Sequence, residues 1–300
     1  MTSLNNGQTM GTALKAFTGI VLAAGVTGSA TAADLPCVVK NRQVNESNIQ
    51  ILLGGSARGD IRQFVSGSLG KDVNQQVHLS GNIDRCGRLS EATFKYQKTE
   101  KNIRLEMISR TLRVEAGWIT DYEVRISVLK EASQTLVNRK RGTLYYTTGK
   151  RGNITASTDL FTINDQSGFT TGTYDYDVQL RLVRSVTRGT DALSNQETRY
   201  RYTPQGWLLS ATATDGDRST YRYDPQGRES GSITFSSSPF SQTSRVERCQ
   251  SWDETGNCTL SETFETELLP SMRLTRNLGT AYQYRYWDDP PATGDQSPGQ

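Results

Sequence analysis

Two aspartates two residues apart, Asp175 and Asp177, are the chain's best candidates for acid–base chemistry. On a β-strand, residues i and i+2 project to one face, so the pair could hold a metal or act as the two carboxylates of a hydrolase. Tyr174 and Tyr176 alternate with them, and a strand with tyrosines toward a core and aspartates toward water gives the same pattern. Asp215-Gly-Asp217 reads as a hairpin tip, because calcium there would need several more oxygen ligands. The single histidine, His78, lies in Val77-His78-Leu79 opposite the apolar positions, without the orienting partner that a general base needs. The sequence contains no HExxH, GxSxG or Gly-rich phosphate loop. Arg58-Gly59-Asp60 spells the integrin tripeptide, and three residues are most simply a turn. The residues therefore favour a non-enzymatic protein without cofactor or metal, with Asp175 and Asp177 as the route to a hydrolase if one exists.

Tyrosines offer a different chemistry. Tyr200, Tyr202, Tyr221 and Tyr223 are spaced to share strand faces, and a row of exposed rings could bind a glycan or peptide through flat apolar area with a polar tip. Packing within the sheet is the competing use of the same rings.

Compartment follows from the N-terminal segment. Lys15, the apolar run Ala16–Val26 and the small residues Ala30-Thr31-Ala32 have the order of a signal peptide cleaved near Ala32/Ala33. The run is shorter than the ~20 apolar residues of a membrane helix, and no later stretch is long enough. A soluble protein exported to the periplasm, or secreted, is expected. Loss of Lys15 from 34 basic residues leaves 33 against 31 acidic, a balance that suggests no nucleic-acid partner. Arg139-Lys140-Arg141 with Lys150-Arg151 reads as a solvated hairpin face. Cys37, Cys86, Cys249 and Cys258 all lie beyond the cleavage site, and export favours two disulfides. Three connectivities are open. Cys249–Cys258 flank one turn, which leaves Cys37–Cys86, but a simple hairpin at Asp253–Gly256 would point Cys249 to the wrong face unless a bulge intervenes.

The elements that carry these residues are strands. Tyr200-Arg-Tyr-Thr-Pro-Gln-Gly206 recurs as Tyr221-Arg-Tyr-Asp-Pro-Gln-Gly227: two aromatics on one strand face, then a turn with Pro presetting φ and Gly in the left-handed position. Related Asp/Thr-x-x-Gly turns are read at Asp84–Gly87, Asp165–Gly168 and Asp253–Gly256. Apolar residues step by two along Ile103/Leu105/Met107, Leu112/Val114/Ala116/Trp118, Tyr122/Val124/Ile126/Val128, Val178/Leu180/Leu182 and Tyr282/Tyr284/Tyr286. Helical periodicity is confined to Asn48–Leu53 and Lys130–Val137. The expected fold is all-β, an antiparallel meander of hairpins forming a large curved sheet or partly open barrel. Its expected organisation is a signal peptide over 1–33, one domain over 34–287 with a soft seam near 188–196, and a disordered tail over 288–300.

Tyr-Arg-Tyr-Asp-Pro-Gln-Gly-Arg at 221–228 resembles the YD repeat of Rhs proteins and teneurins, with looser copies at Tyr200–Trp207 and Trp252–Asn257. The resemblance implies a β-scaffold, with too few units to enclose a toxin. Arg58–Phe64, Ser80–Cys86, residues 221–227 and the Cys249…Cys258 segment together resemble the YnfC-type lipoproteins of enterobacteria, a family without an assigned function. That resemblance implies a Gram-negative envelope protein. Pro36 before Cys37 departs from a lipobox, so a lipid anchor is not expected. The leading expectation is a periplasmic β-scaffold that binds an envelope protein or glycan. The alternative is a carbohydrate- or peptidoglycan-binding module that uses exposed tyrosines.

Overall fold

A computed structural model describes residues 41–55, 57–69, 75–131, 133–191, 194–238 and 241–290. The signal-peptide segment, Cys37 and residues 291–300 lie outside the described residues. One helix, α1 (Arg42–Leu53), precedes sixteen strands. The first eight are β1 (Ile61–Leu69), β2 (Gln75–Ile83), β3 (Leu89–Glu100), β4 (Ile103–Val114), β5 (Gly117–Lys130), β6 (Ser133–Thr148), β7 (Ile154–Ile163) and β8 (Gln166–Tyr176). The rest are β9 (Leu182–Gly189), β10 (Gln196–Tyr202), β11 (Leu208–Ala213), β12 (Arg218–Tyr223), β13 (Glu229–Ser237), β14 (Gln242–Trp252), β15 (Cys258–Leu269) and β16 (Met272–Tyr286).

Every strand pairs antiparallel with its neighbours in sequence, and β1 pairs with β16 from Ile61↔Tyr286 to Leu69↔Gly279. The sheet is therefore a closed barrel rather than a partly open one. Closure removes both edges, which otherwise expose unpaired backbone groups. β9 ends at Gly189 and β10 begins at Gln196, and the two strands pair directly, with Gln196 opposite Thr187. An antiparallel meander puts alternate turns at opposite ends, and α1 lies at the end where β2 turns into β3.

The helix begins at Asn41, whose side chain accepts the Val44 N–H at 3.2 Å, and stops at Gly54 with φ 77°. The apolar run Asn48–Leu53 is thus only its second half. In the other helical candidate, Lys130–Val137, Lys130 ends β5 and Ser133 to Val137 begin β6: Lys130↔Ser133 and Ser127↔Leu136 are ladder pairs after a bulge at Ile126/Ser127. That bulge breaks the alternation, which is why the segment lost its two-residue period. Asp165–Gly168 is not an Asp-x-x-Gly turn either. Ile163 pairs with Gln166 across a two-residue turn in which Asn164 (φ 46°) and Asp165 (φ 71°) are both left-handed, and Gly168 sits inside β8 opposite Phe161.

Packing concentrates where α1 meets the strands. Ile49, Leu52 and Leu53 lie against Ile61, Ile83, Leu89 and Ala92, while Ile51 and Leu52 lie against Trp118, Tyr146 and Ile154. Leu52 touches both groups, so the helix joins strands from separate parts of the barrel wall. The fully buried Ile61, Leu89 and Ile154 each contribute about 1.5–3 kcal/mol through burial.

Candidate functional site

At the helix end, one chemical arrangement recurs. Asp84 accepts the Cys86 and Arg88 N–H groups on Oδ1, both at 2.9 Å, and Arg88 Nε on Oδ2 at 2.9 Å. Asp177 does the same with Gln179 and Arg181, and Asp224 with Arg228. Thr203 and Asp253 accept the N–H of Trp207 and Asn257. In all five turns the fourth residue donates its N–H to the carbonyl of the first and adopts positive φ. Four of these residues are glycines. The fifth is Leu180 at φ 64°, which no glycine rule would find, and Ser47 Oγ of α1 donates to its carbonyl at 3.2 Å.

Four of the five turns then grip the next hairpin. The residue after the turn packs on the last aromatic of the following up-strand: the Arg181 guanidinium over Tyr202 at 4.8 Å, Trp207 against Tyr223 at 5.1 Å, and Arg228 over Trp252 at 4.5 Å. Asn257 completes the series by donating to Tyr286 Oη at 2.8 Å. The same aromatics reach back the other way. Tyr202 Oη donates to the Leu182 carbonyl and Tyr223 Oη to the Leu208 carbonyl, both at 2.8 Å, and Trp252 Nε1 to Glu229 at 3.0 Å. Trp207 therefore does with its ring what arginine does in the other copies.

Residues 202–236 match the RHS repeat. The match falls on this relay and covers a small part of the chain. No curated protein matches the sequence. Among solved structures, the chain is similar to a porin-like protein from Bacteroides uniformis at 12% identity, covering 75% of this chain and 98% of that one, with a TM-score of 0.44. It is also similar to the TcdB2-TccC3-TEV structure at 10% identity, covering 66% of this chain and 14% of that one, with a TM-score of 0.21. Both likenesses are too loose to carry more than their own statement.

The sequence candidates can now be placed. Tyr200, Tyr202, Tyr221 and Tyr223 alternate with exposed arginines and face the barrel interior, half-buried; burial raises all four phenol pKa values. Asp175 and Asp177 do not share one strand face. Asp175 pairs with Arg184 at 3.0 Å on the outside, and Asp177 is the cap of its turn. The shared spacing Asp84/Arg88, Asp177/Arg181 and Asp224/Arg228 is the signal that would have revealed it. His78 is exposed on the outer face opposite Lys95. Arg58 of the Arg-Gly-Asp tripeptide donates to the Gly227 carbonyl and stacks over Trp207 at 5.1 Å. Its backbone exchanges hydrogen bonds with the Asn257 side chain, tying the segment before β1 to two repeat turns.

Cys249 and Cys258 are bonded, with Cα atoms 5.8 Å apart. Trp252 does pair opposite Cys258, and register shifts at Cys249/Ser251 and Ser251/Trp252 turn Cys249 back to the right side. Cys86 is also disulfide-bonded.

Inside the barrel the ionisable groups are largely committed to one another. Arg276 pairs with Glu100, Glu265 and Glu267, and Lys98 joins Glu267 at 3.2 Å. Tyr122 donates to Asp159, whose pKa burial raises. Glu247 accepts from Ser261 and Tyr282. Glu229 is the outlier: burial, with Glu247 adding and Arg58 opposing, pushes its pKa up to about 7.

The outer wall differs between regions. On β3–β6 the charges are mixed, with Glu91 beside Arg110 and Glu123 between Arg125 and Arg139. On β9–β14 the outward positions carry Arg184, Arg188, Arg199, Arg201, Arg218, Arg222 and Arg248, and only Glu197 as an acid. Hydrogen bonds from Arg184 and Arg199 hold Glu197 at about 2, so it stays ionised between them.

Proposed function

We propose that this protein is an exported, non-enzymatic β-barrel scaffold that works by binding in the periplasm or at the cell envelope. The observation that carries the reading is the charge on its outside. Lys95, Glu123, Arg125, Arg199 and Glu262 stand on outward positions within their strands. Arg or Lys on the lipid face of a membrane barrel costs about 2–4 kcal/mol at the midplane. Such a wall supports a barrel that meets water, and α1 lodged against the inner strands supports a scaffold rather than a conduit.

The absence of catalysis rests on where the carboxylates are spent. Asp177 caps a turn, Asp175 faces an arginine, and Glu247, Glu265 and Asp159 accept structural hydrogen bonds. Export rests on the Lys15, apolar run and Ala-Thr-Ala order. The likeness to the YnfC-type lipoproteins at Arg58–Phe64 and Ser80–Cys86 belongs to this proposal as well.

Cell fractionation followed by mass spectrometry of the N-terminus tests it. The expected species begins near Ala33 or Asp34 and leaves with the periplasmic fraction. An intact Met1 in the cytoplasm, or an acylated Cys37 in the membrane fraction, would overturn it.

A further inference from the structure

We propose that the outer face of β9–β14 binds a polyanionic glycan, a carbohydrate polymer that carries carboxylate or phosphate groups along its length. The face is a lattice set by sheet geometry: strands lie about 4.8 Å apart, and outward residues on one strand about 6.8 Å apart. On that lattice Arg199 lies beside Arg184 and opposite Thr212, which in turn lies opposite Arg218. Arg201 lies opposite Ser210 and Ser210 opposite Thr220, while Arg222 and Arg248 flank Gly231. A guanidinium fork matches carboxylate and phosphate oxygens bidentately and keeps its charge at every physiological pH.

Two features narrow the partner. Arg201 and Arg222 are exposed and have no acidic partner among the described residues, so their charge is available to a ligand. Ser210, Thr212 and Thr220 stand between the arginines as hydroxyl donors and acceptors suited to sugar hydroxyls. Single-stranded nucleic acid fits less well, because it is held by free aromatic faces as well as charge. Here the aromatic ring among the described outward positions of β9–β14 is Phe235, and the Arg218 guanidinium sits over one of its faces at 4.6 Å. The balanced charges of β3–β6 make the surplus a property of this face, not of the whole surface. Which polymer the cell supplies rests on the proposed envelope location, whereas the binding itself does not.

The test uses the purified full chain in titrations with polygalacturonate, phosphorylated dextran, neutral dextran and DNA at 50 to 300 mM salt. One or both anionic glycans are expected to bind, with affinity falling steeply as salt rises, and the two arms tell carboxylate from phosphate recognition. Arg201→Glu with Arg222→Glu should weaken binding at least tenfold without moving the melting temperature. Lys95→Glu with Arg110→Glu, on the opposite wall, should change it less than threefold. No binding at 50 mM salt, equal losses in the two double variants, or tighter binding of DNA than of either glycan would overturn the proposal. Failure of the N-terminal test would strike the location alone.

Discussion

At the helix end of the barrel, five hairpin turns share one arrangement and the four from Asp177 to Asn257 each pass a side chain to the next up-strand; at the far end, Asn164, Thr190 and Thr214 each exchange a backbone and a side-chain hydrogen bond with the strand behind them, at Arg139, Phe169 and Glu197. Lys101-Asn102, Asn164-Asp165 and Pro270-Ser271 are two-residue connections, each between its own pair of strands. A two-residue turn fixes the register of one hairpin. The Asp-x-x-Gly turn does that and also presents a ring or guanidinium to the next up-strand. Order can therefore pass from hairpin to hairpin through rings and guanidinium groups at one end, while the far-end turns are tied by hydrogen bonds to the ends of adjacent strands.

Polar anchoring gives the largest expected contrast. Asn48 accepts the buried Ile154 N–H and donates to the Gly152 carbonyl, both at 2.9 Å. Asn48→Ala strands two backbone groups at about 1–3 kcal/mol each. A loss of roughly 3 kcal/mol is expected, about 6–12 °C in melting temperature for a domain of this size. Asn164 at the far end is exposed and accepts one bond, from the Arg139 N–H. Asn164→Ala should cost only about 1 kcal/mol, mostly through its positive φ. Similar losses from the two would dissolve the contrast.

The two ends should also titrate in opposite senses. Glu229 has its pKa raised from 4.5 to about 7 in the folded protein. The folded state then holds a proton that the unfolded state has released, so stability from this group is full below pH 4.5 and lost as pH rises to 7. The loss is on the order of 3 kcal/mol, and Glu229→Gln should remove it. Burial opposes ionisation at Glu267, but the Arg276 hydrogen bond and Lys98 charge outweigh it and lower the pKa. Its contribution is present above the unfolded value and fades as pH falls through the folded one. Chemical denaturation of the wild type, Glu229→Gln and Glu267→Gln across about pH 2.5 to 8 checks both signs. A wild-type curve unchanged by Glu229→Gln contradicts the first.

A smaller effect separates two glycines with similar backbone. Gly227 (φ 78°) and Gly216 (φ 97°) are both left-handed, so alanine costs about 1 kcal/mol at either. At Gly216 a Cβ meets nothing within 4 Å, whereas at Gly227 it runs into the Trp207 ring. Gly227→Ala should lower the melting temperature by several degrees more than Gly216→Ala. Gly206 and Gly256 have more room than Gly227, so the three repeat glycines, alike in sequence, should not be equally sensitive.

Much of the repeat was legible because its chemistry is local. Tyr-x-Tyr followed by Asp-Pro-Gln-Gly specifies strand, turn and facing within eight residues, and the bulge needed by Cys249–Cys258 could be reasoned from pairing geometry alone. The turn at Asp177 was not legible because Val178/Leu180/Leu182 steps by two like a strand, Leu180 stands where glycine normally marks the turn, and Ser47, far away in sequence, holds it there. Asn41 hid the start of α1 because a cap is a single residue ahead of a weakly apolar stretch. Barrel closure had no local signal, since it depends on β1 meeting β16. The outer arginines were invisible for a similar reason. Net charge averages over the chain, and only strand order shows that seven of them share one wall.

Native-state hydrogen exchange tests the central claim, that the helix end is one interlocked ring. The amides of Arg88, Arg181, Arg228 and Asn257, each held on an aspartate Oδ1, should exchange as a single group with a free energy close to global unfolding. The far-end amides of Asn164 and Gly216, bonded to Arg139 and Ala213 carbonyls, should open at least a hundredfold more readily. If the four helix-end amides exchange independently, or as fast as Asn164 and Gly216, the turns are separate hairpins and the ring does not exist.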